Sequence, residues 1–264
     1  MISGRWNYPA GDGRHRGVAR GWRFCLGLAW LATMLVLPAA RADEFSAAQR
    51  AEIIQIVRDA LKHDTTILRE AVDALQAEEG DRQAAARRSA VAANRDKLAG
   101  PTDPAAGNPA GDVTVVEFFD TRCPYCRRFD PIMASLLAQD AGVRLVYKDM
   151  PILGTASLLS AKALLAAQRQ GAYEQFRGAI MQMPPDATEE TVRGVAERLK
   201  LDWPRLARDM QDPAIAVQLD ANVSLARDLG IQGTPALVVG ETVVAGATDL
   251  PELKIAVAEA RRAH

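Results

Sequence analysis

A chain of 264 residues with 48% apolar and 25% charged residues can bury one full-sized core plus a smaller accessory element. Its formal net charge of −1 provides no broad basic surface, which argues against a nucleic-acid-binding role. One domain with an appendage is the expectation.

Residues 1–42 read as an export leader. Arg5, Arg14, Arg16, Arg20 and Arg23 make a positive segment, residues 25–37 an apolar run, and Ala40-Arg41-Ala42 a small-residue cleavage site. A retained anchor is the alternative, but a run of 13 residues falls short of the roughly 20 that span a bilayer. Cys25 opens the apolar run instead of following it, which argues against lipidation. Cleavage after Ala42 would remove six Arg and one Asp, leaving a mature net charge of −6. Only Cys123 and Cys126 would then remain, in a compartment that permits disulfides.

Residues 43–99 read as a helical region suited to oligomerisation. Ser46 and Gln49 form a capping box, and Ile53, Ile54, Val57 and Leu61 recur at helical spacing. Asp64 is placed to cap a second helix carrying Ile67, Leu68, Ala71, Val72 and Leu75 on one face. Residues 81–98 favour helix by propensity but lack an apolar stripe, so a solvated connecting helix is expected there. Residues 100–112, with three prolines and three glycines, are expected to be a linker at the domain boundary.

Residues 113–264 form the second region. Residues 113–119 (VTVVEFF) are β-rich and almost wholly apolar, as a buried strand would be. Residues 124–139 read as helix and 143–150 as strand, which completes a βαβ unit. Residues 157–229 are helical with breaks, Asp186 and Glu189 offering one capping box. Residues 236–244 form a hairpin, and a last helix starts near Leu250. The sum is an α/β mixed sheet with a helical insertion.

Chemistry concentrates at Cys123-Pro124-Tyr125-Cys126. Two cysteines this close cannot staple distant parts of a fold, so redox use is the better explanation. Pro124 suits the first position of a helix, which places Cys123 where unpaired N–H groups and the helix dipole stabilise a thiolate. Cys123 is therefore expected to be the exposed nucleophile and Cys126, one turn deeper, the resolving thiol. A closed zinc site lacks ligands, since the mature chain has only His63 and His264 besides this pair; Cu(I), content with two thiolates, stays open. No cofactor is expected.

Glu117-Phe118-Phe119-Asp120 before this pair, with Gly233-Thr234-Pro235 ahead of a strand 112 positions after Cys123, resembles the DsbA-like thioredoxin-fold oxidoreductases. The resemblance covers about residues 103–264. It implies a thioredoxin-like fold, a cis peptide bond at Pro235 beside Cys123, and a Thr234 backbone free to pair with a client strand. It also implies that Glu117 is the buried acid beneath the cysteines, able to move protons near neutrality; pairing with Lys148 at a strand edge is the equal alternative. Tyr125 stands where strongly oxidising relatives carry His. A neutral phenol there implies a potential less oxidising than their value of about −120 mV, a difference that equilibration against glutathione measures.

The segment SAAQRAEIIQIVRDAL…TILREAVDALQ is similar to the extension of the suppressor-of-copper-sensitivity branch, which mediates self-association. The expectation is a periplasmic homo-oligomer acting on unfolded or misoxidised exported proteins, served by a membrane redox partner and leaning towards isomerase or reductase. A dithiol oxidase and a Cu(I)-binding copper-tolerance protein are the alternatives.

Overall fold

A computed structural model describes residues 45–263; the expected leader at 1–42 and His264 lie outside them. The chain divides into two units after His63. In the first, helix α1 (Ala47–His63) buries no residue, and Ile53, Ile54, Ile56, Val57 and Leu61 are all exposed. Its start is the expected box: Ser46 N–H donates to Gln49 Oε1 at 2.9 Å and Gln49 N–H to Ser46 Oγ at 3.3 Å.

The second unit opens with α2 (Thr65–Ala93), capped by Asp64, whose Oδ1 accepts the Thr66 N–H at 3.0 Å. Ile67, Leu68, Val72 and Leu75 stay exposed on it. Its far end behaves differently from the solvated helix expected over 81–98. Val91, and Leu98 of the short α3 (Arg95–Leu98), are buried against Val116, Phe118, Leu225 and Val238. Alanines around Val91 let the helix approach closely, so a weak apolar stripe suffices.

The expected linker is also part of the domain. Residues 105–107 form β1 (Ala105–Gly107), antiparallel to β3 (Val143–Asp149), which runs parallel to β2 (Val113–Phe119). Turn residues in this segment mark tight reversals within the fold, and Asp103 there pairs with Lys148 at 2.7 Å, both side chains nearly inaccessible. The hairpin β4 (Ala236–Val239) and β5 (Thr242–Ala245) completes a sheet of order β1-β3-β2-β4-β5.

One face of the sheet packs α4 (Pro124–Gln139), the insertion and α10 (Leu250–Arg262) around Val115, Phe119, Phe129, Leu145, Phe176 and Leu253. The insertion runs as α5 (Thr155–Gln168), α6 (Tyr173–Met181), α7 (Glu189–Arg198), α8 (Trp203–Asp209) and α9 (Pro213–Asp228). Helix α7 is boxed by Thr188 and Thr191 instead of Asp186 and Glu189, because Asp186 is drawn into an ion pair with Arg122. The central strand β2 is thus covered on both faces, as its unbroken apolar run requires.

Lys148 Nζ has two oxygen partners, the Asp103 carboxylate and the Lys97 carbonyl at 2.9 Å. Removing the carboxylate strands a buried cation. Asp103→Ala should therefore lose about 3–5 kcal/mol in chemical denaturation, and adding Lys148→Met should return most of it. A loss under about 1 kcal/mol for the single variant would show that the pair contributes little.

Candidate active site

The turn between β2 and α4 is built around Asp120. Its Oδ1 accepts the Arg122 N–H at 2.8 Å, and its Oδ2 accepts the N–H groups of Ile152 and Leu153 at 2.9 and 3.1 Å. The Cys123 N–H donates to the Asp120 carbonyl at 3.0 Å. Arg127 adds a second brace: its guanidinium donates to the carbonyls of Thr121 at 2.6 Å, Met181 at 2.9 Å and Met183. Sequence reasoning quoted Asp120 within a motif but gave it no role; an Asp at the first step out of a strand is itself an Asx-turn indication.

Cys123 occupies the N-cap of α4 and Pro124 the first helical position. Cys126 is then the third helical residue, and N-cap and N3 side chains are neighbours, as every capping box shows. The Thr234–Pro235 peptide bond is cis, and the Thr234 carbonyl accepts the Cys123 thiol at 3.2 Å. That contact covers the sulfur. Cys123 is only 5% exposed, against the exposed nucleophile expected, while Cys126 is fully buried. Burial pushes the Cys126 thiol well above the usual thiol range, and neighbouring Cys123 adds to this against the hydrogen bonds from Asp120 and Thr234.

Tyr125 projects outward, 57% exposed, with the Arg128 guanidinium 4.6 Å from its ring centroid. A cation is therefore stacked on the residue that the sequence presented as a neutral phenol.

Glu117 and Lys148 do not meet. The register pairs Glu117 with Tyr147 and Phe118 with Lys148, so the two side chains leave opposite faces of the sheet. Glu117 is 1% exposed, on the face shared with Phe119 and the cysteines. Burial raises its carboxyl to about 7; Arg177 opposes this, and Asp130 and Glu174 reinforce it. Asp149, which accepts the Tyr173 hydroxyl at 2.8 Å, is likewise raised by burial to about 7. Three or more His, Cys, Asp or Glu residues do not gather into a metal-holding group among the described residues. None of the described helices is long and apolar enough to cross a membrane. A cavity of about 300 Å³ lined by Arg95, Leu98 and Glu241 lies away from the cysteines.

Residues 114–258 match the family of the DSBA-like thioredoxin domain, more than half of the chain, and the chain belongs to that family. A thioredoxin-like oxidoreductase from Silicibacter pomeroyi is 45% identical, with a TM-score of 0.63 over 65% of this chain and 99% of its own. Proteus mirabilis ScsC in a transitional conformation is 30% identical, with a TM-score of 0.61 over 83% of this chain and 98% of its own. The Na(+)/H(+) antiporter NhaA 1 of Salinispora arenicola is 29% identical over 169 residues, 63% of this chain. This chain spans about a quarter of the length of the curated antiporter relatives it matches.

Because a raised carboxyl prefers its protonated form in the folded state, Glu117 contributes stability at low pH that is lost as pH rises from its ordinary 4.5 towards 7. Glu117→Gln removes that dependence. Chemical denaturation of the reduced protein should show the variant gaining on the wild type between pH 5 and 8, by up to about 1.4 kcal/mol per pH unit within the window. A stability difference that does not change with pH would refute this.

Proposed function

We propose that this chain is an exported, periplasmic thiol–disulfide oxidoreductase that acts on protein disulfides and leans towards isomerisation and reduction. The contact between the Cys123 sulfur and the Thr234 carbonyl on a cis-proline loop carries the reading, because it brings a nucleophile, a peptide-pairing backbone and a second thiol together. Cys123, as thiolate, attacks a client disulfide; one client sulfur departs and a mixed disulfide forms. Cys126 then gives its proton to Glu117 and attacks the Cys123 sulfur. A Cys123–Cys126 disulfide forms, and the client, reduced by two electrons, leaves. Thr234 and Pro235 hold the client as an added strand. Pro124 fixes the helix start, and Tyr125 with Arg128 forms the rim that a client meets.

Self-association supports the isomerase leaning. Helix α1 exposes Ile53, Ile54 and Val57, and α2 exposes Leu68, Val72 and Leu75; each stripe needs a cover, and a second copy of the chain supplies a matching one. Several sites facing one client favour reshuffling of wrong disulfides. The redox partner that resets the pair is a membrane protein, and nucleic acid has no place in the scheme.

Refolding assays separate the readings. The full-length chain should reactivate scrambled ribonuclease faster than it oxidises reduced ribonuclease, and Cys126→Ser should accumulate mixed disulfides while losing at least tenfold in turnover. Ile54→Glu combined with Leu68→Glu should reduce the light-scattering mass to that of one chain and shift activity towards simple oxidation. Faster oxidation than reactivation by the wild type establishes the dithiol oxidase instead. Stoichiometric Cu(I) retention without peptide turnover establishes the copper binder.

A further inference from the structure

Helix α6 carries an arginine where its neighbours demand an apolar residue. Tyr173, Phe176, Arg177 and Ile180 share the buried stripe of this helix, and the Arg177 side chain is 5% exposed. Its Nη2 pairs with Asp130 at 2.5 Å and lies 3.8 Å from Glu174, while Nε and Nη1 have no hydrogen-bond partner among the described residues. The guanidinium lies 4.4 Å from the Tyr147 ring centroid and 5.6 Å from that of Phe119. Those two residues flank Glu117, one across the ladder and the other two positions along β2. Glu117 Oε1 is the matching orphan, a buried acceptor without a partner among the described residues.

Buried polar groups in native proteins are nearly always paired, so an unpartnered acceptor and two unpartnered donors around the same pair of rings call for an explanation. Burial of a cation is costly unless it is paired and its remaining donors are satisfied, and here Asp130 meets only Nη2. Asp130 uses one edge of the guanidinium only. Nε and Nη1 are left over, on the side of the rings that Glu117 shares.

We propose that Arg177 is a positioning residue for the resolving step, its buried guanidinium, unpaired at Nε and Nη1, favouring Glu117 as the carboxylate that takes the proton of Cys126. This rests on the relay assigned to Glu117 above. The step balances within the chain: the Cys126 S–H bond breaks, its proton passes to the Glu117 carboxylate, and the Cys126 thiolate displaces the client from Cys123. The catalytic domain's acid is thereby governed by a residue of the helical insertion. The titratable groups facing Glu117 are Tyr147 from β3, Arg177 and Glu174 from α6, and Asp130 from α4, while Tyr173 from α6 and Asp149 at the end of β3 face Arg177.

Carbon-13 NMR of glutamate carboxyls in the full-length reduced protein reads Glu117 directly. Stopped-flow mixing with glutathione disulfide reads the pH profile of resolution. Arg177→Met should move the Glu117 titration to higher pH by about one to three units, and Asp130→Asn should move it to lower pH, since one removes an opposing charge and the other a like charge. Arg177→Lys should restore most of the wild-type value. The resolution profile should follow each shift, and Glu117→Gln should abolish its dependence on this group. A merely structural arginine would leave the pH profile of resolution where it is.

Unchanged Glu117 titration in both Arg177→Met and Asp130→Asn overturns the proposal. Should Arg177→Met fail to fold, Asp130→Asn and Arg177→Lys decide it by the same criterion. Titrations that move while the resolution profile stays fixed also overturn it, by a separate route. Arg177 would then tune a carboxyl that takes no part in resolution, and the relay assigned to Glu117 would be the part that failed.

Discussion

Strand β2 is hydrogen-bonded to β3 on one side and β4 on the other, and both of its faces are covered. A strand so enclosed cannot slip its register without sending every side chain to the wrong face. It therefore delivers the chain to one fixed point at Phe119, from which Asp120 turns it into α4. The position of both cysteines follows from that delivery, as does the burial of Glu117. The same ladder sets β4 beside β2, which carries the Thr234–Pro235 loop to the Cys123 sulfur.

The loops around the cysteines are held by partly buried hydrogen bonds from side chains to backbone. Asp120 accepts from three main-chain N–H groups, one in its own turn and two after β3, and Arg127 donates to three carbonyls, one in the same turn and two at the end of α6. These side chains tie the β2–α4 turn to the segment after β3 and to the end of α6. A nucleophile at a helix start is useful only if that start stays put, and charge-assisted bonds to backbone achieve this without relying on apolar packing.

Below the cysteines the interior is unusually polar. Glu117, Asp149, Tyr147, Tyr173 and Arg177 share one region between the sheet and α6, and burial dominates the titration of both carboxyls. The helical insertion is consequently more than a lid on the sheet, since it contributes the buried cation and one buried phenol. The N-terminal helices have a different character: the apolar residues of α1 and of the first part of α2 are exposed, and the end of α2 joins the core.

Local sequence alone determined the strand and helix either side of Cys123, the caps at Ser46 and Asp64, the helical character of the insertion and the proline loop, because each rests on neighbours within a few residues. Family resemblance added the cis bond at Pro235. Tertiary structure decided the rest. Residues 100–112 read as a linker, yet β1 there finds its partner in β3, nearly forty residues on, and Asp103 finds Lys148. The alternative partner for Glu117 was excluded by strand register, which no local pattern specifies. Arg177 passed unremarked in the sequence, although it is a charge on the apolar stripe of α6. What it faces depends on how α6 lies across the sheet, and long-range packing of that kind is fixed by the whole core at once.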